Sequence, residues 1–244
     1  QDEIINSLLE VNPNTVVVIT AGSQVDMSSW ADKSKALVTV SYNGMEGGRA
    51  LAEVLFGDVN PSGKLTVTIP KKLEDSPAHS IGEFPGGEKV RYDEGIFVGY
   101  RHFVSNNVEP QFTFGHGLSY TEFKYDDIRV NVIEESDEIN TEVSFKLTNI
   151  GDRKGSEIAQ LYVNDVEASL KRPTLELKGF EKVSLLPGES KKVTITLDKK
   201  AFAFYSEDEK SWIVEPGEFN ILVGSSCTKI NLEECINIKS KYKF

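Results

Sequence analysis

Cysteine is nearly missing from this chain: Cys227 and Cys235 are the only two. That excludes a zinc set of four ligands or a disulfide framework. The two flank a turn and could face each other across it. Two free thiols in a reducing, cytoplasmic-type compartment is the favoured reading, and the lack of an Asn-x-Ser/Thr acceptor fits it. The one near miss, Asn60-Pro61-Ser62, carries the excluded proline. Basic charge is also short. With 27 Lys and Arg against 38 Asp and Glu, the net charge is −11, whereas nucleic-acid and anionic-membrane surfaces need basic footprints. Neither partner is expected. No apolar run approaches the roughly 20 residues of a membrane helix. The opening QDEIINSLLE lacks the basic start and apolar stretch of a signal peptide. Gln1 is not a natural initiator, so the natural start is expected upstream or removed.

What is present divides into two grammars. Residues 2–11 place Ile4, Ile5, Leu8, Leu9 and Val11 at helical spacing, and Asn12-Pro13-Asn14 stops them. Residues 15–20, TVVVIT, and 36–40, ALVTV, are β-branched runs without alternation, the pattern of strands covered on both faces. Asp26 or Ser28 could cap a short helix through Trp30 and Ala31. Residues 44–56 read as a helix ended by Gly57 in a left-handed cap. Helix–strand–helix–strand–helix implies parallel strands. Two such strands do not make an independent unit, so the missing strands are expected upstream of Gln1 or on another chain. Residues 64–70 alternate as a strand with Leu65, Val67 and Ile69 on one face, and 71–89 read as an exposed loop.

From about residue 123 short alternating segments follow at 125–132, 141–149, 156–163, 175–185, 191–197, 212–214 and 218–223. Turn signals such as Leu186-Pro187-Gly188 separate them. Seven strands at this spacing describe an antiparallel sandwich of immunoglobulin or fibronectin III type. Between the two grammars lies a stretch, residues 92–121, whose Ile96, Phe97, Val98, Tyr100 and Phe103 are too apolar for a solvated tether. It is expected to be packed and pinned to the domain before it. The fold class is therefore α/β plus all-β: a partial parallel α/β domain over residues 1–75, a packed linker over 76–122 and a β-sandwich over 123–244.

Four segments carry a resemblance: YNGMEGGRALAEVLFGDVNPSGKLTVTIPK (42–71), RYDEGIFVGYRHF (91–103), FTFGHGLSYTEFKY (112–125) and ELKGFEKVSLLPGESKKVTITL (176–197). Together and in this order they resemble the C-terminal half of family 3 glycoside hydrolases, the β-glucosidase family. The resemblance implies the end of an α/β sandwich domain, a linker and a fibronectin III-like domain. It also implies retaining hydrolysis of terminal β-D-glucosyl residues from a small β-glucoside or oligosaccharide. The partners implied are a catalytic (β/α)8 barrel and the rest of the α/β domain, on the same or another chain. Such chemistry needs two carboxyl groups about 5–5.5 Å apart. Neither the nucleophile Asp nor the acid/base Glu of the family matches a segment here, so this chain alone is expected to be inactive. No cofactor or metal is implied, and self-association is left open.

Among residues that could still touch substrate, Glu46 starts a helix, where the macrodipole favours a carboxylate; dipole or capping work is the plainer role. The loops at 21–26 and 41–46 follow parallel strands, where ligands lie in open α/β sheets. Arg91, Asp93, Glu94 and Arg101 form a charge cluster whose plain role is anchoring the connector. The sharper reading places Arg91, Tyr92 or Asp93 on the rim of the active site. His102 and His116 read as hydrogen-bonded packing residues. Trp212 should be core by alternation, with an exposed ring for sugar stacking as the lesser reading. Two other classes stay open: a non-catalytic carbohydrate-binding or interaction module, and a piece of a β-xylosidase or β-N-acetylglucosaminidase.

Overall fold

A computed structural model describes residues 1–82 and 84–244; Glu83, within the expected loop at 71–89, lies outside the described residues. The chain separates into two compact units. The first comprises Gln1–Val59, Thr68–Gly95 and Val108–Phe112; the second comprises Asn60–Val67, Ile96–Asn107 and Thr113–Phe244.

In the first unit, α1 (Asp2–Val11) leads to β1 (Val16–Thr20) and β2 (Ala36–Val40), which pair in parallel with Val16 opposite Ala36. Asp2 and Glu3 in the first turn of α1 suit its dipole. Asp2 also accepts the indole N–H of Trp30 at 3.1 Å. Between the strands Met27 and Trp30 are fully buried. The short helix expected there is a 3-10 turn, Ala31–Lys33. Asp26 accepts from the backbone N–H and hydroxyl of Ser28 instead of capping it, and these bonds hold its carboxyl below the usual range. The second helix, α2, runs Gly47–Leu55. Gly57 then takes φ +83°, the left-handed conformation a C-terminal glycine supplies.

Two expectations fail in this part. Residues 64–70 form no strand: Ile69 makes an isolated antiparallel bridge to Phe112, and Leu65, Val67 and Ile69 share no buried face, since Val67 is 42% exposed while Ile69 is buried. A partner does lie alongside, since the backbone of Leu65 bonds to His116 and Gly115 and that of Ile69 to Phe112 and Gln111, but between these two places the ladder is interrupted. Within 71–89 the chain turns through a 3-10 segment, Leu73–Asp75, and a short helix α3 (Pro77–Ser80) with proline in its first turn.

The second unit is a β-sandwich. Its strands are β3 (Phe123–Glu135), β4 (Glu138–Asn149), β5 (Gly155–Asp165), β6 (Glu176–Leu185), β7 (Ser190–Asp198), β8 (Phe204–Ser206), β9 (Ser211–Val214), β10 (Gly217–Ser226), β11 (Lys229–Ile238) and β12 (Tyr242–Lys243). One sheet has the order β3-β4-β7, the other β11-β10-β5-β6, and a small third sheet has β12-β9-β8. Seven strands make the sandwich. The fourth, β6, pairs with the third rather than joining the first sheet, unlike an immunoglobulin constant domain. Inward residues of both sheets meet in one core around Phe145, Leu147, Leu161, Phe219 and Ile221. Three strands escaped the sequence reading. In β11 the pair Glu233-Glu234 interrupts the alternation of Ile230, Leu232, Ile236 and Ile238; charge on an edge strand guards against edge pairing. β8 and β12 are too short to show a period.

The connector differs from its expectation in direction. The helix α4 (Tyr100–Ser105) belongs with the sandwich, not with the preceding unit. Tyr100 stacks on Phe114 at 4.7 Å, and its hydroxyl accepts the N–H of Leu177. Arg101 pairs with Glu176 at 3.1 Å. Ile96 and Val98 remain about half exposed. Phe103 and His102 are buried, and Asn106 bonds back to His102, the packing role expected of that histidine. A close approach explains Gly115: at φ +80°, an added Cβ would meet the side chain of the buried Gln160. Gln160 donates to the carbonyls of Gly115 and Ser225.

Cys227 and Cys235 are both free, as expected, but they do not face each other. Cys235 is opposite Asn220 on an exposed edge, and Cys227 is buried against the Thr113 hydroxyl. Burial pushes the Cys227 thiol up.

Candidate functional site

Because β1 and β2 run parallel, the loops that leave their carboxyl ends emerge on one side of the first unit, the side where open α/β sheets take ligands. Gly22 of the first loop lies under the ring of Tyr42 in the second; a Cβ at Gly22 would sit 2.6 Å from the Tyr42 hydroxyl oxygen. The two loops are thus held against each other. The second loop then presents Tyr42, Met45 and Glu46 outward, with Tyr42 82% and Met45 96% exposed.

Glu46 occupies the N-cap position of α2 but makes no capping hydrogen bond with its side chain. Its carboxylate is exposed and near the positive end of the helix dipole. Gly47 packs under Asn43, where a Cβ would lie 2.3 Å from the Asn43 Cβ, so the turn into α2 requires glycine there. The expected cluster at 91–101 divides. Arg91 and Asp93 pair at 3.4 Å, both well exposed, and Tyr92 between them is 80% exposed, whereas Arg101 is bound to Glu176 of the sandwich.

Sequence reasoning did not single out Tyr42 within the loop at 41–46. It sits two residues past a strand beside two glycine-rich turns, and that local signal could have found it. Among the described residues no group of three His, Cys, Asp or Glu gathers to hold a metal. His116 is half-buried; desolvation, with Lys64 and Lys229 nearby, pulls its pKa down. A shallow, open surface depression lined by Ser119–Glu122 and Ile150–Asp152 holds none of these residues. The exposed loop cluster of the first unit is the better candidate because it follows the strand ends.

The class the fold defines is a two-unit chain, an α/β unit followed by an antiparallel sandwich of seven strands. Two family profiles match. Residues 1–120 fit the glycosyl hydrolase family 3 C-terminal domain, and residues 157–227 fit the fibronectin type III-like domain. The chain is 50% identical over its whole length to thermostable beta-glucosidase B of Acetivibrio thermocellus, covering 32% of that protein. It is 43% identical over 94% of its length to beta-glucosidase BoGH3A of Bacteroides ovatus, covering 31%. A beta-glucosidase structure from Kluyveromyces marxianus superposes on all of it with a TM-score of 0.93 at 39% identity, over 28% of that chain. Beta-glucosidase 3B from Thermotoga neapolitana, solved with glucose, gives 0.88 at 34%, over 34% of that chain. The chain belongs to glycoside hydrolase family 3, and spans about a third of the length of the relatives it matches.

Proposed function

We propose that this chain is the C-terminal part of a retaining, exo-acting β-glucosidase, and that it supports an active site whose nucleophile and acid/base carboxyls lie outside it. The observation that carries this reading is the incompleteness of the first unit. Its sheet has two strands, and Ile4, Leu8, Val11, Val16 and Phe56 stay exposed around it. Apolar surface on this scale marks an interaction site. The occupant is the rest of an α/β layer, in a protein of the relatives' length that also carries a (β/α)8 barrel. Glu46 and Tyr42 from one loop, with Arg91, Tyr92 and Asp93 from another, then supply contacts at the substrate side. They bind and orient; they do not perform the displacement, which needs the carboxyl pair of a retaining enzyme.

The test is hydrolysis of aryl β-D-glucosides by this chain alone and by the chain joined to its upstream segment. The expected result is no activity alone and full activity when joined. Activity of the isolated chain comparable to that of the joined protein would overturn the placement of the catalytic groups. In the joined enzyme Glu46→Ala and Asp93→Ala should act mainly on KM, with aryl β-xylosides as the comparison substrate.

A further inference from the structure

The third small sheet holds the chain's other tryptophan. Trp212 was expected in the core, yet it is 49% exposed. It lies near the outer end of the β8–β9 hairpin; Val214, two residues on, has reached the sandwich and is fully buried. Trp212 is directly opposite Tyr205 on β8, and exchanges both backbone hydrogen bonds with Phe244 beyond β12. Directly opposed residues share one face of a sheet. Tyr205, Trp212 and Phe244 therefore form a row of three aromatics, 49%, 49% and 36% exposed, across the three strands. Tyr205 and Trp212 meet edge to face, at 5.7 Å and 72°. Lys199 already lies over Phe244, 4.9 Å from its centroid. The open surface is thus an angled corner made by the indole and the phenol, with Phe244 as its flank.

We infer that this corner is an auxiliary binding site for a neutral β-glucan oligosaccharide, separate from the site in the first unit. Size and charge decide the occupant. Aromatic side chains bury about 150–250 Å² each when covered, so this row, half exposed, offers roughly 300 Å². A stable protein interface needs about 800 Å² per partner, so a second copy or another protein is too large a demand. The hairpin tip and the strand beside it carry three acids, Glu207, Asp208 and Glu209, against three lysines, Lys210, Lys241 and Lys243, and Glu209 pairs with Lys241 at 2.7 Å and Lys243 at 3.2 Å. The rim carries no net charge for a strongly charged partner to match. A β-glucopyranose ring fits both facts. Its axial C–H groups give it an apolar face that stacks on an indole, and its equatorial hydroxyls reach outward to the paired Glu and Lys heads. Because the two rings are not coplanar, the corner takes a single soluble chain and not the flat face of crystalline cellulose.

The site is independent of hydrolysis, so its test does not depend on the catalytic reading. The sequence has two tryptophans, and Trp30 is 1% exposed, so quenching of fluorescence by acrylamide reports Trp212. With the 244-residue chain, cello-oligosaccharides and soluble mixed-linkage β-glucan should reduce that quenching several-fold, and β-glucan in a native gel should retard the chain. Trp212→Ala should abolish the retardation, and Tyr205→Ala should weaken it at least tenfold, while binding to crystalline cellulose stays absent. The quenching measurement on the unmodified chain stands even if a variant misfolds. Unchanged quenching with every soluble glucan would overturn the proposal. So would a dimer in sedimentation that Trp212→Ala dissolves, or an indole already shielded in the chain joined to its upstream segment.

Discussion

The two units reach stability by opposite routes. In the sandwich, Ile139, Leu147, Leu161 and Ile221 are completely withdrawn from solvent, and both faces of the core come from this chain. In the α/β unit the strands consist of the residues best suited to burial, yet Val17 is the one strand position that reaches it, and Val16 is 44% exposed. A sheet of two strands has two unpaired edges. Strand composition therefore says what a segment is built to bury; it does not say that the burial partner is present. At about 25 cal/mol for each Å² of apolar surface removed from water, the exposed valines and leucines of the first unit are stabilisation not yet realised.

Hydrogen exchange should show the largest contrast. Amides of Phe145, Leu161 and Ile221 should exchange at least about a thousandfold more slowly than those of Val17 and Val38, since the slowest amides report global opening and the fastest local opening. Joining the upstream segment should close the gap; equal protection in the isolated chain would remove the contrast altogether. Next in size is the buried ion network. Arg172, 8% exposed at its side chain, binds Asp165 at 2.8 Å and Glu176 at 3.2 Å, and donates to the carbonyl of Phe202. Burial pushes the Asp165 carboxyl up, and Arg172 opposes that rise. Arg172→Ala should cost about 3–5 kcal/mol in urea unfolding, because it strands buried carboxylates; the pair with Asp165→Asn should recover part of it. By contrast Arg49→Ala, which loses a pair 76% exposed on the arginine side, should cost under about 0.5 kcal/mol.

Core truncation sharpens the same comparison. Leu161→Ala in the sandwich should cost about 2–5 kcal/mol. Leu51→Ala on the half-buried face of α2 should cost less than half as much until the rest of the layer covers it, as the shift in denaturation midpoint will show. The smallest effect is that of pH. The native pKa of His116 is lowered, by burial first. Between that native value and the ordinary one near 6.5, the unfolded chain binds more protons, so stability rises with pH through this window. Unfolding midpoints measured from pH 5 to 7 should rise, and His116→Gln should flatten its share of the slope.

How legible the molecule was depends on whether the deciding neighbour is near in sequence. The helix from Asp2 to Val11 and the strands at Val16 and Ala36 could be read because spacing and β-branching are local properties. Glu46 could be placed at a helix start because Ala50, Leu51, Val54 and Leu55 recur at helical spacing just after it. Tyr42 was legible only as part of the loop at 41–46; its contact with Gly22 in another loop was not. The apparent strand at residues 64–70 had the period and a neighbour, but its pairing with residues 111–116 reaches only an isolated bridge. Trp212 had the alternation of a core residue but lies beyond the edge of the core it seemed to join.

The order of amino acids alone settled the two grammars, the parallel sense of the first sheet and the antiparallel sandwich of the second, because side-chain period and turn chemistry act over a few residues. Tertiary structure alone decided which apolar faces find cover. It sent the connector's Tyr100 to the sandwich, left Trp212 and Tyr205 facing water, and set Tyr42 over Gly22. Burial is a property of what lies opposite, and what lies opposite is chosen by contacts far apart along the chain.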